Sequence, residues 1–199
     1  MSDAPHRTLA FPRRWGGEQG LAPAFAGGIA LRALAERAVY RLEVGDRAAF
    51  EAACRRVFGW PPPAINRSGG TGELRCLGVA PAAWLFTGPD DENRRLWKSC
   101  HDLADAADGA LVDLSHGYCV LSLEGGAARA LLARLCPADV HSAAFSAGYC
   151  LSSNLEGHRA LIDVPDDGPA FELFVERSYS LSFWECLVDA AETQAEAGE

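Results

Sequence analysis

The sequence predicts an α+β protein of two similar halves, each ordered β-α-β-β-α, with antiparallel or mixed sheets that carry their helices on one face. Two observations lead there. From Ala110 to Pro137 the apolar period changes along the chain. Leu111, Asp113 and Ser115 alternate with Val112, Leu114 and His116. After Gly117, Cys119, Leu121 and Leu123 alternate with Val120, Ser122 and Glu124. Beyond Gly125-Gly126, Ala128, Leu131, Leu132 and Leu135 recur at helical spacing until Pro137. This reads as two paired strands followed by a helix. Landmarks also repeat. Gly45 and Gly125 lie about 80 residues apart and Trp97 and Trp184 about 87, while Trp84 to Trp97 recurs as Phe171 to Trp184 at about 13.

Residues 1–28 form an N-terminal arm, because Pro5, Pro12 and Pro23 break every period around Arg13-Arg14-Trp15. The first half spans 29–109. Its opening, 29–37, suits either a helical turn or an edge strand. Val39–Val44 alternates as a strand, Asp46 offers an N-cap, and Phe50, Ala53, Cys54 and Val57 form a helical stripe that ends at Gly59. Pro61–Pro63 forces an extended loop into a glycine-rich turn, Ser68–Gly72, which is expected to be mobile. Leu74–Val79 and Ala83–Thr87 read as strands. Asp90-Asp91-Glu92 starts a helix whose inward face is Leu96, Trp97, Cys100, Leu103 and Ala107. The second half, 110–193, repeats the order with strands near Tyr149–Ser152, Arg159–Asp163 and Phe171–Val175. Its last helix has Ser178 as cap and Leu181, Trp184, Val188 and Ala191 inward, and 194–199 is a polar tail.

Hydrophobic residues make up 49% of the 199 and charged residues 23%, which places the chain among globular proteins able to bury a core. The net charge of −9 argues against nucleic acid, whose binders present clustered Lys and Arg. Lys98 is the only lysine. No apolar run reaches the length of a membrane helix, and the first residues lack a signal peptide's apolar region, so a cytoplasmic protein with no membrane contact is expected. Seven scattered cysteines read as reduced, mostly buried thiols.

The search for chemistry yields isolated groups. Ser115 and His116 are neighbours in a strand and point to opposite faces. Cys100-His101 with His116 and Cys119 has the residue types of a zinc site without its spacing. Ser68–Glu73 lacks the lysine and following helix of a phosphate loop. Asp163 with Asp166-Asp167 reads as turn chemistry. Catalytic, cofactor-binding and metal residues are therefore expected to be none. Contact with a partner chain is the reading for Arg13, Arg14 and Trp15, the tryptophan lying between the arginines and Gly16-Gly17, and for Asn66-Arg67, which loop packing explains as well.

Leu77–Phe86, Val112–His116, Ala128–Pro137 and Phe171–Tyr179 with Trp184, in this order, resemble the gamma subunit of heterotetrameric sarcosine oxidase. The Asp113-Leu-Ser strand, Leu121-Ser-Leu-Glu-Gly125 and the Ala128-Arg-Ala-Leu-Leu132 helix also look like the folate-binding domain of the glycine-cleavage T-protein. The resemblance implies a noncatalytic subunit of a flavin-dependent oxidase of sarcosine or another N-methyl amine. Large alpha and beta subunits and a small zinc-binding delta subunit would then carry FAD, FMN, NAD, zinc and tetrahydrofolate. The T-protein likeness implies an alternative, a stand-alone folate-binding aminomethyltransferase-like protein. The chain departs from the gamma-subunit pattern at Ala80–Trp84, where an acidic Pro-Asp-Glu-Trp is commoner, and that bears on the substrate more than on the fold.

Overall fold

Alternating apolar side chains give strands that each present one side to helices and the other to a second sheet. The computed structural model describes residues 28–34, 37–89, 94–165 and 170–196. In chain order the elements are β1 (Ala30–Ala33), β2 (Arg37–Glu43), α1 (Arg47–Phe58), β3 (Ser68–Thr71), β4 (Leu74–Ala80), β5 (Ala83–Pro89), α2 (Arg95–Ala106), β6 (Ala110–Asp113), β7 (Tyr118–Glu124), α3 (Ala128–Leu135), β8 (Cys150–Leu155), β9 (His158–Asp163), β10 (Ala170–Glu176) and α4 (Ser180–Glu196). Asp46 caps α1 by accepting from the Ala49 amide at 2.9 Å, and Gly59 ends it in the left-handed region, as its sequence signals require. The acidic start expected for α2, Asp90-Asp91-Glu92, lies outside the described residues.

The strands form two five-stranded antiparallel sheets, ordered β6-β2-β5-β4-β3 and β1-β7-β10-β9-β8. The two orders correspond strand for strand, so the halves share one topology. Each half lends its leading strand to the other. β1 pairs with β7, Ala30 opposite Glu124, and β6 pairs with β2, Ala110 opposite Glu43. The correspondence reaches single hydrogen bonds: Leu34 N–H donates to Val120 O at 2.8 Å and Leu114 N–H to Val39 O at 2.8 Å. Gly125, with φ +117°, lets β7 end against the entrance to β1, because a Cβ there would lie 1.7 Å from the Gly28 carbonyl oxygen.

The core has three parts. Tyr40, Leu42, Trp84 and Phe86 pack on Phe50 and Leu103 of α1 and α2. Leu121, Leu123, Phe171 and Leu173 pack on Leu131, Leu132, Phe183 and Trp184 of α3 and α4. Between the sheets, Val39, Leu77 and Leu85 meet Val120, Leu161 and Phe174. Helices thus cover the outer side of each sheet, and the inner sides pack on each other.

Three expectations are corrected. The strands of 110–124 do not pair with each other, since β6 and β7 lie in different sheets and Leu114–Gly117 crosses between them. Alternation decides which face a strand buries, not which strand it pairs with. Sheet membership accordingly crosses the 109/110 division of the sequence in both directions. The glycine-rich 68–72 is no mobile turn, because Ser68–Thr71 pairs with Leu74–Leu77 as an edge strand. Ser178 does not cap the last helix. A 3-10 turn, Arg177–Tyr179, precedes α4, and the Ser180 hydroxyl donates to Arg177 O at 2.8 Å. Trp184, Val188 and Ala191 face inward as expected, joined by Phe183 and Leu187, while Leu181, expected inward, is 40% exposed. The segment 29–37, left open between helix and strand, contains β1 and the start of β2.

Candidate functional site

The layer between the sheets is where polar chemistry concentrates. Charged residues interrupt the inner faces of β2, β4, β9 and β10, and they pair across the gap. Arg75 of β4 holds Asp163 of β9 through two nitrogens, Nε to Oδ2 at 3.0 Å and Nη2 to Oδ1 at 3.1 Å, and also donates to Ser68 Oγ at 2.8 Å. Arg37 of β2 donates to Glu172 of β10 and to the Glu73 carbonyl at 2.8 Å. Asp163 and Glu172 stand opposite each other on neighbouring strands, so two like charges are separated only by what the facing arginines neutralise. Burial outweighs Arg37 in its effect on Glu172 and pushes that carboxyl above its ordinary value. The second oxygen of Glu172 and the Thr87 hydroxyl are buried without a hydrogen-bond partner. Asp163, read from sequence as part of an acidic turn, is fully buried; Asp166 and Asp167 lie outside the described residues.

The Pro-rich loop ends on the same seam. Asn66, with φ +59°, donates its amide to Gly78 O at 2.8 Å and accepts from the Cys150 amide at 3.1 Å. Ser68 N–H donates to Gly148 O at 2.8 Å, and Arg67 bridges to Tyr149 in antiparallel register. The Arg67 guanidinium lies over the Tyr149 ring, 3.4 Å from its centroid. Gly78 is required at this stitch, because a Cβ would lie 2.2 Å from Ala64 O. The backbone of Asn66-Arg67 therefore joins the two sheets while both side chains stay exposed beside Ile65, itself 50% exposed. Arg13, Arg14 and Trp15 lie outside the described residues.

The groups that suggested enzyme chemistry are committed elsewhere. Ser115 Oγ accepts from the Val39 amide at 2.9 Å and its own amide donates to Asp113 Oδ1, so the hydroxyl fixes the crossover between sheets, while His116 is exposed. Cys100 lies in the core under α1 and α2, and Cys119 packs against the core of the other half. Among the described residues no group of three or more His, Cys, Asp or Glu side chains could hold a metal ion. Burial pushes the thiols of Cys54, Cys119 and Cys150 up to about 12, which keeps them protonated and poorly nucleophilic at neutral pH. Sequence reasoning missed Arg37, Arg75 and Glu172. Their signal was a charge set at an inner-face position of an otherwise apolar strand, as in Leu74-Arg-Cys-Leu77 and Phe171-Glu-Leu-Phe174.

The model of the sarcosine oxidase, gamma subunit family matches residues 43–193. Sarcosine oxidase subunit gamma of Corynebacterium sp. (strain U-96) is 34% identical over 83 residues, 39% of this chain and 40% of that protein, so the aligned stretch spans less than half of the curated relative. Among solved structures, heterotetrameric sarcosine oxidase from Corynebacterium sp. U-96 in complex with pyrrole 2-carboxylate contains a similar chain. Its TM-score is 0.75 at 22% identity, over 89% of both chains. Glycine cleavage system aminomethyltransferase T from Bartonella henselae is similar with a TM-score of 0.62 at 14% identity, over 83% of this chain and 46% of that one. At these identities the two structures share the fold.

Proposed function

Because the chain belongs to the sarcosine oxidase gamma subunit family, whose model covers 43–193, we propose that it is a noncatalytic subunit of a multi-subunit, flavin-dependent oxidase of sarcosine or a related N-methyl amine. The family match carries this reading. Large alpha and beta subunits and a small zinc-binding delta subunit hold FAD, FMN, NAD, zinc and tetrahydrofolate, and this chain supports their assembly in the cytoplasm. No helix among the described residues is long and apolar enough to cross a membrane. The arrangement of its charges suits such a role: arginines and carboxylates are spent on fixing one sheet against the other. Arg13, Arg14 and Trp15 of the arm and the exposed side chains of Asn66 and Arg67 are the contacts we assign to partner chains. A stand-alone aminomethyltransferase-like protein is not favoured, since the likeness to aminomethyltransferase T covers 46% of that chain.

The test is the behaviour of the chain with and without partners. Made alone it is expected to self-associate in light scattering, and made together with the flavoprotein subunits encoded beside it, to be recovered in a defined complex with flavin absorbance. A monodisperse monomer that binds tetrahydrofolate and ignores those subunits would overturn the reading.

A further inference from the structure

The second half carries a groove between its outer hairpin and its last helix. β9 starts at His158, two residues before its pairing with β10 begins at Ala160, whereas β4 starts at Leu74, one residue before its pairing with β5 begins at Arg75. α4 runs for 17 residues and α2 for 12. The overhanging β8–β9 hairpin and the longer helix enclose an open cleft lined by Arg134, Glu156, His158, Cys186, Asp189 and Thr193. Along α4 and the turn before it, Tyr179, Ser182, Cys186, Asp189 and Thr193 follow one another at spacings of three and four and form one stripe, of which Cys186, Asp189 and Thr193 line the cleft. Tyr179 is 55% exposed at its end, and its ring sits 6.4 Å from that of His158.

The cleft is electrostatically incomplete. Glu156 occupies a left-handed turn position, φ +47°, beside Gly157, whose amide the Asn154 side chain holds at 2.6 Å; Asn or Gly is the ordinary choice for such a turn. The Glu156 and Asp189 carboxylates have no hydrogen-bond or ion-pair partner among the described residues, and Arg134 directs its guanidinium at the Ala190 carbonyl, 3.4 Å away. Both carboxylates act on the half-buried Cys186 between them, adding to the effect of burial in raising its thiol. His158 Nε2 meets Ser182 Oγ at 3.0 Å and its Nδ1 is buried without a partner. Two free negative charges across a groove favour a cation between them, and a chain of net charge −9 is complementary to a basic partner.

We propose that this groove docks a basic segment of a partner protein chain, with a lysine or arginine of that segment seated between Glu156 and Asp189. The proposal rests on the subunit reading above and names a surface that reading leaves open. Its test uses the complex assembled with the full chain. Glu156→Lys with Asp189→Lys is expected to retain at least tenfold less of the partner subunits than the unaltered chain. Asp102→Lys, an exposed position on α2 in the first half, leaves retention unchanged. Carbodiimide treatment of the unaltered complex, followed by peptide mass spectrometry, is expected to join Glu156 or Asp189 to a lysine of another chain where the seated residue is lysine. Full retention by the doubly reversed chain, with its circular dichroism unchanged, overturns the groove and leaves the subunit reading standing. Failure of the unaltered chain to assemble overturns both.

Discussion

The helix-facing sides of the two sheets and the layer between them solve the same packing problem differently. Against the helices the cores are apolar, with Trp84, Phe50 and Phe86 in one and Phe171, Phe183 and Trp184 in the other. Between the sheets a smaller apolar set shares its space with Arg37, Arg75, Asp163 and Glu172. Apolar burial is non-directional and tolerates small shifts, whereas a two-nitrogen arginine–carboxylate pair is satisfied in one alignment only. The helices thus stabilise each sheet, and the charges fix how one sheet sits on the other.

The largest expected effect tests the apolar side. Trp84→Ala removes a fully buried indole and its 2.8 Å hydrogen bond to Pro63 O, and should cost about 3–5 kcal/mol in chemical denaturation. Phe171→Ala at the corresponding place in the other half should cost a similar amount. A loss below about 1 kcal/mol in either would show a core loose enough to collapse, and the contrast with the inner layer would fail.

The inner layer is tested next. Asp163→Ala leaves Arg75 buried and unpaired and should cost roughly 3 kcal/mol, while Arg75→Met with Asp163→Leu should return stability to within about 1–2 kcal/mol of the original. If the double variant also keeps the sheets aligned, judged by unchanged partner retention, then alignment is set by the apolar set and the backbone stitches instead.

The smallest effect concerns Glu172, whose folded carboxyl holds its proton more tightly than the ordinary value of 4.5, chiefly through burial. Its contribution to stability is complete below 4.5 and is lost as pH rises through the elevated folded value. Glu172→Gln keeps an acceptor for Arg37 without the buried charge. It should change stability at neutral pH by less than about 1 kcal/mol and flatten the decline above pH 4.5. An unchanged slope in denaturation at stepped pH would assign the decline to other groups.

The same contrast explains what could be read from the sequence. α1, with its Asp46 cap, its apolar stripe and Gly59, was legible because every signal lies within a few residues. So were β4, β5 and α3. The exchange of β1 and β6 was not, since Ala30–Ala33 and Ala110–Asp113 state which face is apolar and nothing about the strand they join. The charge pairs were illegible for a related reason: Arg75 and Asp163 are 88 residues apart, and each alone looks like a polar position on a solvated strand. The inward face of α4 was legible at Trp184, Val188 and Ala191, and only its first turn was not, where Leu181 is exposed and Phe183 is buried.

The exchanged strands also set the timetable of synthesis. All five strands of the first sheet lie in one run, residues 37–113, and can assemble as soon as that run has left the ribosome. The second sheet is discontinuous. β1 is made early, and its partner β7 ends about 90 residues later, a wait of roughly 5–20 s at common translation rates of about 5–20 residues per second. During that interval Ile29, Leu31 and Ala33, buried in the finished protein, have no sheet to join and are open to chaperones or to another nascent copy.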